Sequence, residues 1–152
     1  DRFESSSEIK KWLEDGNVVI ADRYATANQI HQGGKISNLK KRKEFLEYLD
    51  KMEYSVFKIP RPDLVVYLDV PYEVSKMWLE RKVTQRKKKY LKGRKDVAED
   101  NLLHLKNSRE SAIMLAKENK NWVKVECCKG KVCMLPNQVG EVVYGLVKKK
   151  LK

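Results

Sequence analysis

Apolar positions along this chain follow two rhythms. Ile9, Trp12 and Leu13 recur at helical spacing within residues 4–15, and Gly16 follows them. That spacing predicts an amphipathic helix that stops at the glycine. Asn17-Val18-Val19-Ile20-Ala21 is a short apolar run without polar alternation, which predicts a strand covered on both faces. Residues 25–38 are polar, contain Gly33-Gly34, and read as a loop. Helical spacing returns over 39–57 with Phe45, Leu46, Leu49, Met52 and Val56. Pro60 and Pro62 close that helix and force an extended entry to a second apolar run, Leu64 to Val70. Pro71 suits the first turn of a helix running through Leu79. Residues 81–95 are too basic to pack, and Gly93 breaks their pattern. A helix over 96–118, a third strand over Trp122 to Cys128 and a last helix over Val139 to Leu151 complete the pattern. Helices alternating with apolar strands predict an α/β fold with a parallel sheet.

The length of 152 residues fits one domain, and 41% apolar residues can build a core. The first residue is Asp1, and Asp1-Arg2-Phe3-Glu4 reads as the start of a helix inside a domain, so the chain is expected to be the carboxyl-terminal part of a longer protein. The net charge of +12 is uneven. Nine of the 33 Lys and Arg residues lie in 81–95 with no acidic residue among them, leaving 24 basic against 21 acidic residues elsewhere. Such concentration points to an anionic ligand at one place rather than a uniform nucleic-acid coat. Cys127, Cys128 and Cys133 form an odd set without Cys-x-x-Cys spacing, and His31 and His104 are the only histidines. A zinc site is therefore not predicted, and reduced thiols are expected. No apolar run reaches the length of a membrane span.

The residues that carry chemistry sit at the ends of the apolar runs. Asp22-Arg23-Tyr24 ends the first run, where P-loop proteins place a Mg²⁺-associated carboxylate and a phosphate-binding arginine. The stretch from Asp22 to Gly33, with Asn28, His31 and Gln32, resembles the Asp-Arg-Tyr-x-x-Ser-Asn-x-x-His-Gln pattern of the thymidylate kinase family, with Ala27 where Ser is usual. Ile59-Pro60-Arg61-Pro62-Asp63 leading into Leu64–Val70 resembles a strand of the same family, in which Asp69 has a structural role. Asp1-Arg2-Phe3-Glu4 resembles the family's Asp-Arg-x-Glu, and Asp96 with Glu99 resembles its Lys-Asp-x-x-Glu after the lid. Family members often carry Tyr near position 112, where Ala112 stands.

The resemblance spans nearly the whole chain and implies a three-layer P-loop kinase fold whose first two strands are absent from these residues. The absence leaves no Gly-x-x-x-x-Gly-Lys-[Ser/Thr] in the sequence. It implies phosphorylation of dTMP to dTDP with Mg-ATP, in the cytoplasm and in a homodimer packed through 39–57. Arg23 would contact the dTMP phosphate, Tyr24, Asn28 and Gln32 would line the nucleoside pocket, Arg2 would reach the thymine edge, and Glu99 would approach the nucleoside. Segment 81–95 would be the ATP lid, with Arg86, Arg94 and Lys95 closing on the phosphates, and Asp22 would serve Mg²⁺ indirectly. His31 and His104 lack the spacing of a general base. Without a phosphate-gripping loop the 152 residues are expected not to turn over ATP, and an incomplete sheet is expected to make them poorly stable. The alternative is a basic α/β nucleic-acid-binding module or a remnant pseudoenzyme. No aromatic stacking platform supports nucleic-acid binding.

Overall fold

The computed structural model describes residues 3–90 and 96–152, with side chains described over 3–81 and 102–152. Helix α1 spans Ser6–Glu14, α2 Ala25–Gly33 and α3 Leu39–Asp50, and a π-helical extension covers Lys51–Val56. Strand β1 (Val65–Asp69) is followed by α4 (Tyr72–Tyr90) and α5 (Asp96–Glu118). Then come β2 (Trp122–Glu126), a hairpin of β3 (Cys128–Lys129) and β4 (Val132–Cys133), and α6 (Pro136–Lys150).

β1 and β2 run parallel, in register from Val65 opposite Trp122 to Asp69 opposite Glu126. Side chains of successive strand residues point to opposite faces, so this pair supports helices on both sides. On one face Val66 and Val125 pack with Val74 of α4 and with Val139 and Leu146 of α6. On the other face Val65, Tyr67 and Trp122 pack with Ile30 of α2, Leu46 of α3 and Leu115 of α5. These are the three layers that the resemblance implies, around the parallel sheet that the alternation of elements predicts.

Several expectations are corrected. Residues 17–21 form no strand, and Val18 and Ile20 are 54% and 82% exposed. A strand needs a neighbour to receive its backbone hydrogen bonds, and among the described residues β1 pairs only with β2. Most of the stretch read as a loop over 25–38 is helix α2. The helix read over 39–57 is α-helical only to Asp50. Helix α4 continues past Leu79 to Tyr90, so the amino-terminal part of the basic segment is helical. The third strand ends at Glu126, and α6 begins at Pro136 rather than Val139. Helix α1 stops as predicted, with Gly16 taking a φ of +81°. Its Trp12 and Leu13 are exposed.

The cysteines are also corrected. Cys128 and Cys133 are joined in a disulfide across the β3–β4 hairpin, and Cys127 is a buried free thiol. The hairpin loop is Gly130-Lys131, between paired Lys129 and Val132, and Gly130 supplies the positive φ of +59° such a tight turn requires. A loop this short gains little chain entropy on cross-linking, so reduction is expected to cost about 2 kcal/mol of stability. Urea unfolding with and without reductant checks this, and the Cys133→Ser variant should no longer respond to reductant.

Candidate functional site

The candidate site begins where the extended segment 17–21 turns into α2. Arg23 sits there at a φ of +63°, a left-handed backbone that costs a non-glycine residue about 1 kcal/mol or more. Tyr24 follows in an extended conformation, and its hydroxyl donates to the Pro60 carbonyl at 2.9 Å. That bond ties the Asp-Arg-Tyr turn to the entry of β1. On the same entry, Arg61 makes two hydrogen bonds to the Asp50 carboxylate at 2.8 and 2.7 Å and lies 4.0 Å over the Tyr54 ring. Burial is the main cause that pushes the Tyr54 hydroxyl up to about 12.

Helix α2 rests on α5 through its glycine end. Gly33 and Gly34 are buried, and a methyl group at Gly34 would lie 2.9 Å from the Ser108 backbone. Ser108, Ser111 and Ala112 are buried on α5, at the three- and four-residue spacing of one helix face. Small residues on both helices allow the close approach.

A neighbouring face of α2 borders a cavity of about 570 Å³, within the range of small-ligand sites. Ala27, Asn28, His31 and Gln32 line it from α2, Ala21, Arg23 and Tyr24 from the turn, and Ser5 and Ile9 from the α1 side. Four residues singled out in the sequence, Arg23, Tyr24, Asn28 and Gln32, thus share one cavity. Ala27, where the Ser of the pattern is usual, lines it too. The cavity offers a cationic fork, two amides and apolar wall, which suits an anionic molecule with a planar polar base.

The comparisons with known proteins agree with that chemistry. A model of the thymidylate kinase family matches residues 1–133. The chain belongs to the thymidylate kinase family. It is 31% identical over 121 residues to the thymidylate kinase of Fervidobacterium nodosum, covering 79% of this chain and 53% of that protein. It is 26% identical over 87 residues to the thymidylate kinase of Mesoplasma florum, covering 57% of this chain and 38% of that protein. The chain spans about half the length, or less, of these curated relatives. No solved structure gives a significant match.

Other residues singled out in the sequence fall elsewhere. Asp22 is exposed and does not line the cavity. Among the described residues no three carboxylate, imidazole or thiolate groups converge as a resident metal centre. A Mg²⁺ ion carried by phosphates needs only one or two carboxylates, and Asp22, next to Arg23, fits that lesser requirement. Arg2, Arg94 and Lys95 lie outside the described residues. Arg86 falls on α4 and Glu99 on α5, with their side chains outside the description. Among the described residues no helix is long and apolar enough to cross a membrane.

The structure adds residues that sequence reasoning missed. His31 joins the cavity wall, and its ring stacks on His104. At the carboxyl end of β1, buried Asp69 accepts two hydrogen bonds from Arg109 of α5, at 2.7 and 2.9 Å, with Lys124 3.9 Å away. This agrees with a structural role for Asp69, because the pair fastens α5, and therefore α2, to the sheet. Asp69→Ala strands a guanidinium that is one-third exposed, so the expected loss is about 2 kcal/mol, below the cost of breaking a fully buried pair. Denaturant unfolding of the variant checks this.

Proposed function

We propose that this chain contributes the dTMP-binding part of a thymidylate kinase, which phosphorylates dTMP to dTDP with Mg-ATP. The observation that carries the reading is the convergence of Arg23, Asn28 and Gln32 on one cavity beside α2. Arg23 forks onto the 5′-phosphate, where its fixed planar donors match the oxygens. Asn28 and Gln32 present amide donors and acceptors to the nucleoside. Tyr24, held by Pro60, keeps the turn in place. Arg2 reaches the thymine edge, and Glu99 approaches the nucleoside from α5.

No general base is needed, since the accepting phosphate is already anionic. The protein's contribution is alignment and neutralisation of charge. The basic segment 81–95 serves as a lid, with Arg86, Arg94 and Lys95 closing over the ATP phosphates and excluding water. Asp22 would serve, indirectly, the Mg²⁺ that arrives with those phosphates. The protein acts in the cytoplasm as a homodimer, packed through residues 39–57, which leave Tyr48, Val56 and Phe57 exposed.

Calorimetric titration of the chain with dTMP, dCMP and dGMP tests the reading. Saturable binding of dTMP, with dCMP and dGMP at least about tenfold weaker, a difference of about 1.4 kcal/mol, is the expected result. Equal binding of all three, or none, would refute it. Because the sequence holds no phosphate-gripping glycine-lysine loop, the 152-residue polypeptide is expected to bind dTMP without forming ADP from ATP. A coupled ADP assay at saturating dTMP checks this, and turnover of about 1 per second or more, ordinary for enzymes, would contradict it.

A further inference from the structure

We propose that the stacked His31–His104 pair is a proton-binding element of the nucleotide pocket, taking up a proton when a nucleoside 5′-phosphate docks beside Arg23. The inference rests on the reading of the cavity as the dTMP site and assigns that site a regulation by pH.

The geometry comes from two helices. His31 lies on the cavity-lining face of α2, one turn beyond Ala27 and Asn28. Its ring centroid is 5.5 Å from that of His104 on α5, with 26° between the planes. His31 Nδ1 is buried without a hydrogen-bond partner among the described residues. His104 Nε2 is 3.5 Å from the Ser108 hydroxyl, one turn farther along α5. A buried imidazole nitrogen without a partner is costly, and a proton there is useful only if a negative charge accompanies it.

Among the described residues, the groups that act electrostatically on His31 all disfavour its protonation. They are His104 across the stack, Arg23 in the turn before α2 and Lys35 just after it. Helix α3 also packs against α2 and carries Arg42, whose Nε donates to the Ile36 carbonyl at 2.8 Å. From the α1 side, Ser5 and Ile9 face the cavity, and neither carries charge. Burial first, then His104, Arg23 and Lys35, hold the His31 imidazole below its ordinary value. In the free chain His31 therefore stays neutral at pH 7.

A phosphate dianion beside Arg23 reverses the local sign. The protonated imidazole is then favoured, so the bound value rises above the free one. By linkage, nucleotide binding takes up a proton between those two values. The added affinity is fully present below the free value and is lost as pH rises through the bound value. The nucleotide's own second ionisation, near pH 6, weakens binding of the monoanion. It is common to all variants and cancels when they are compared.

The two histidines are the only ones in the chain, so their C2 proton signals in an NMR titration report the pair alone. The titration runs from about pH 5 to 8, with and without saturating dTMP, and the His104→Phe variant assigns the signals. Without nucleotide, His104→Phe should raise the His31 midpoint. With dTMP, the His31 midpoint should move upward. Calorimetry should show the ratio of wild-type to His31→Phe affinity rising as pH falls, by about tenfold for each unit of midpoint shift. If dTMP perturbs the Arg23 and Asn28 amide signals while neither midpoint moves, the proposal is overturned and the pocket reading stands. If dTMP perturbs no cavity residue, both fall together.

Discussion

Replacing Arg23 with alanine is expected to weaken dTMP binding by at least about 100-fold. A hydrogen bond to a charged group contributes about 1.5–3 kcal/mol, and a fork onto phosphate makes two. Each 1.4 kcal/mol corresponds to about a factor of ten. Stability should hardly change, because Arg23 is exposed and alanine carries the same conformational penalty at a φ of +63°. Arg23→Gly separates the two roles. It should lose the same affinity while raising stability by about 1 kcal/mol, since glycine adopts this backbone without strain, at some cost in unfolded-chain entropy. Arg23→Lys keeps the charge without the fork and should fall between, with a loss of about tenfold. Calorimetric titration and urea unfolding of the three variants make the comparison. Unchanged affinity in Arg23→Ala would place the phosphate elsewhere.

Gly34→Ala is expected to have the largest effect on stability, about 3 kcal/mol, at the upper end of overpacking costs. Its φ of −61° is ordinary for any residue, so space rather than conformation requires glycine there. The added methyl would meet α5 backbone, 2.9 Å from Ser108 N and Cα and 3.0 Å from Asn107 C. Backbone in a helix cannot turn aside, so α2 must lift from α5. Asn28, His31 and Gln32 move with it, and dTMP affinity should fall as well. Gly33→Ala meets Ser111 Oγ at 2.9 Å and Leu46 Cδ2 at 3.0 Å, side-chain atoms that can shift, and should cost about 1 kcal/mol. Gly140, exposed in α6 with nothing within 4 Å of an added methyl, is the control. Gly140→Ala should stabilise by about 0.5–1 kcal/mol. Urea unfolding of the three variants gives the ranking, and equal losses for Gly34→Ala and Gly140→Ala would refute the packing argument.

The difference between Gly34 and its surroundings explains what the sequence concealed. Leu64–Val70 read correctly as a strand, because an apolar run there meets β2 and is covered on both faces. Val18-Val19-Ile20 has the same local character and does not pair. Strand formation depends on a neighbour, and residues 17–21 have none among those described. Helix α2 was hidden for the opposite reason. It buries Ala25, Gln29 and Gly33, so its inner face carries no large apolar residue to mark a helical period. The Gly33-Gly34 pair, which suggests a loop, is the contact that seats the helix.

The candidate site was legible where a family pattern fixed residue spacing. Arg23, Tyr24, Asn28 and Gln32 fall at positions that one turn and one helix bring to a common cavity. His31 was named with them and left without a role, because its partner His104 lies 73 positions farther along the chain. The Cys128–Cys133 disulfide was missed although Gly130 marks the hairpin that sets the two cysteines opposite each other. Only the pairing of β3 with β4 makes that turn meaningful.

Amide chemical-shift mapping of the chain during titration with dTMP tests the account most directly. The expected result is saturable perturbation of Arg23, Tyr24, Asn28, His31 and Gln32, together with the facing residues Ser5 and Ile9. Perturbation confined to other parts of the surface, or none at saturating nucleotide, would contradict the assignment of this cavity as the dTMP site.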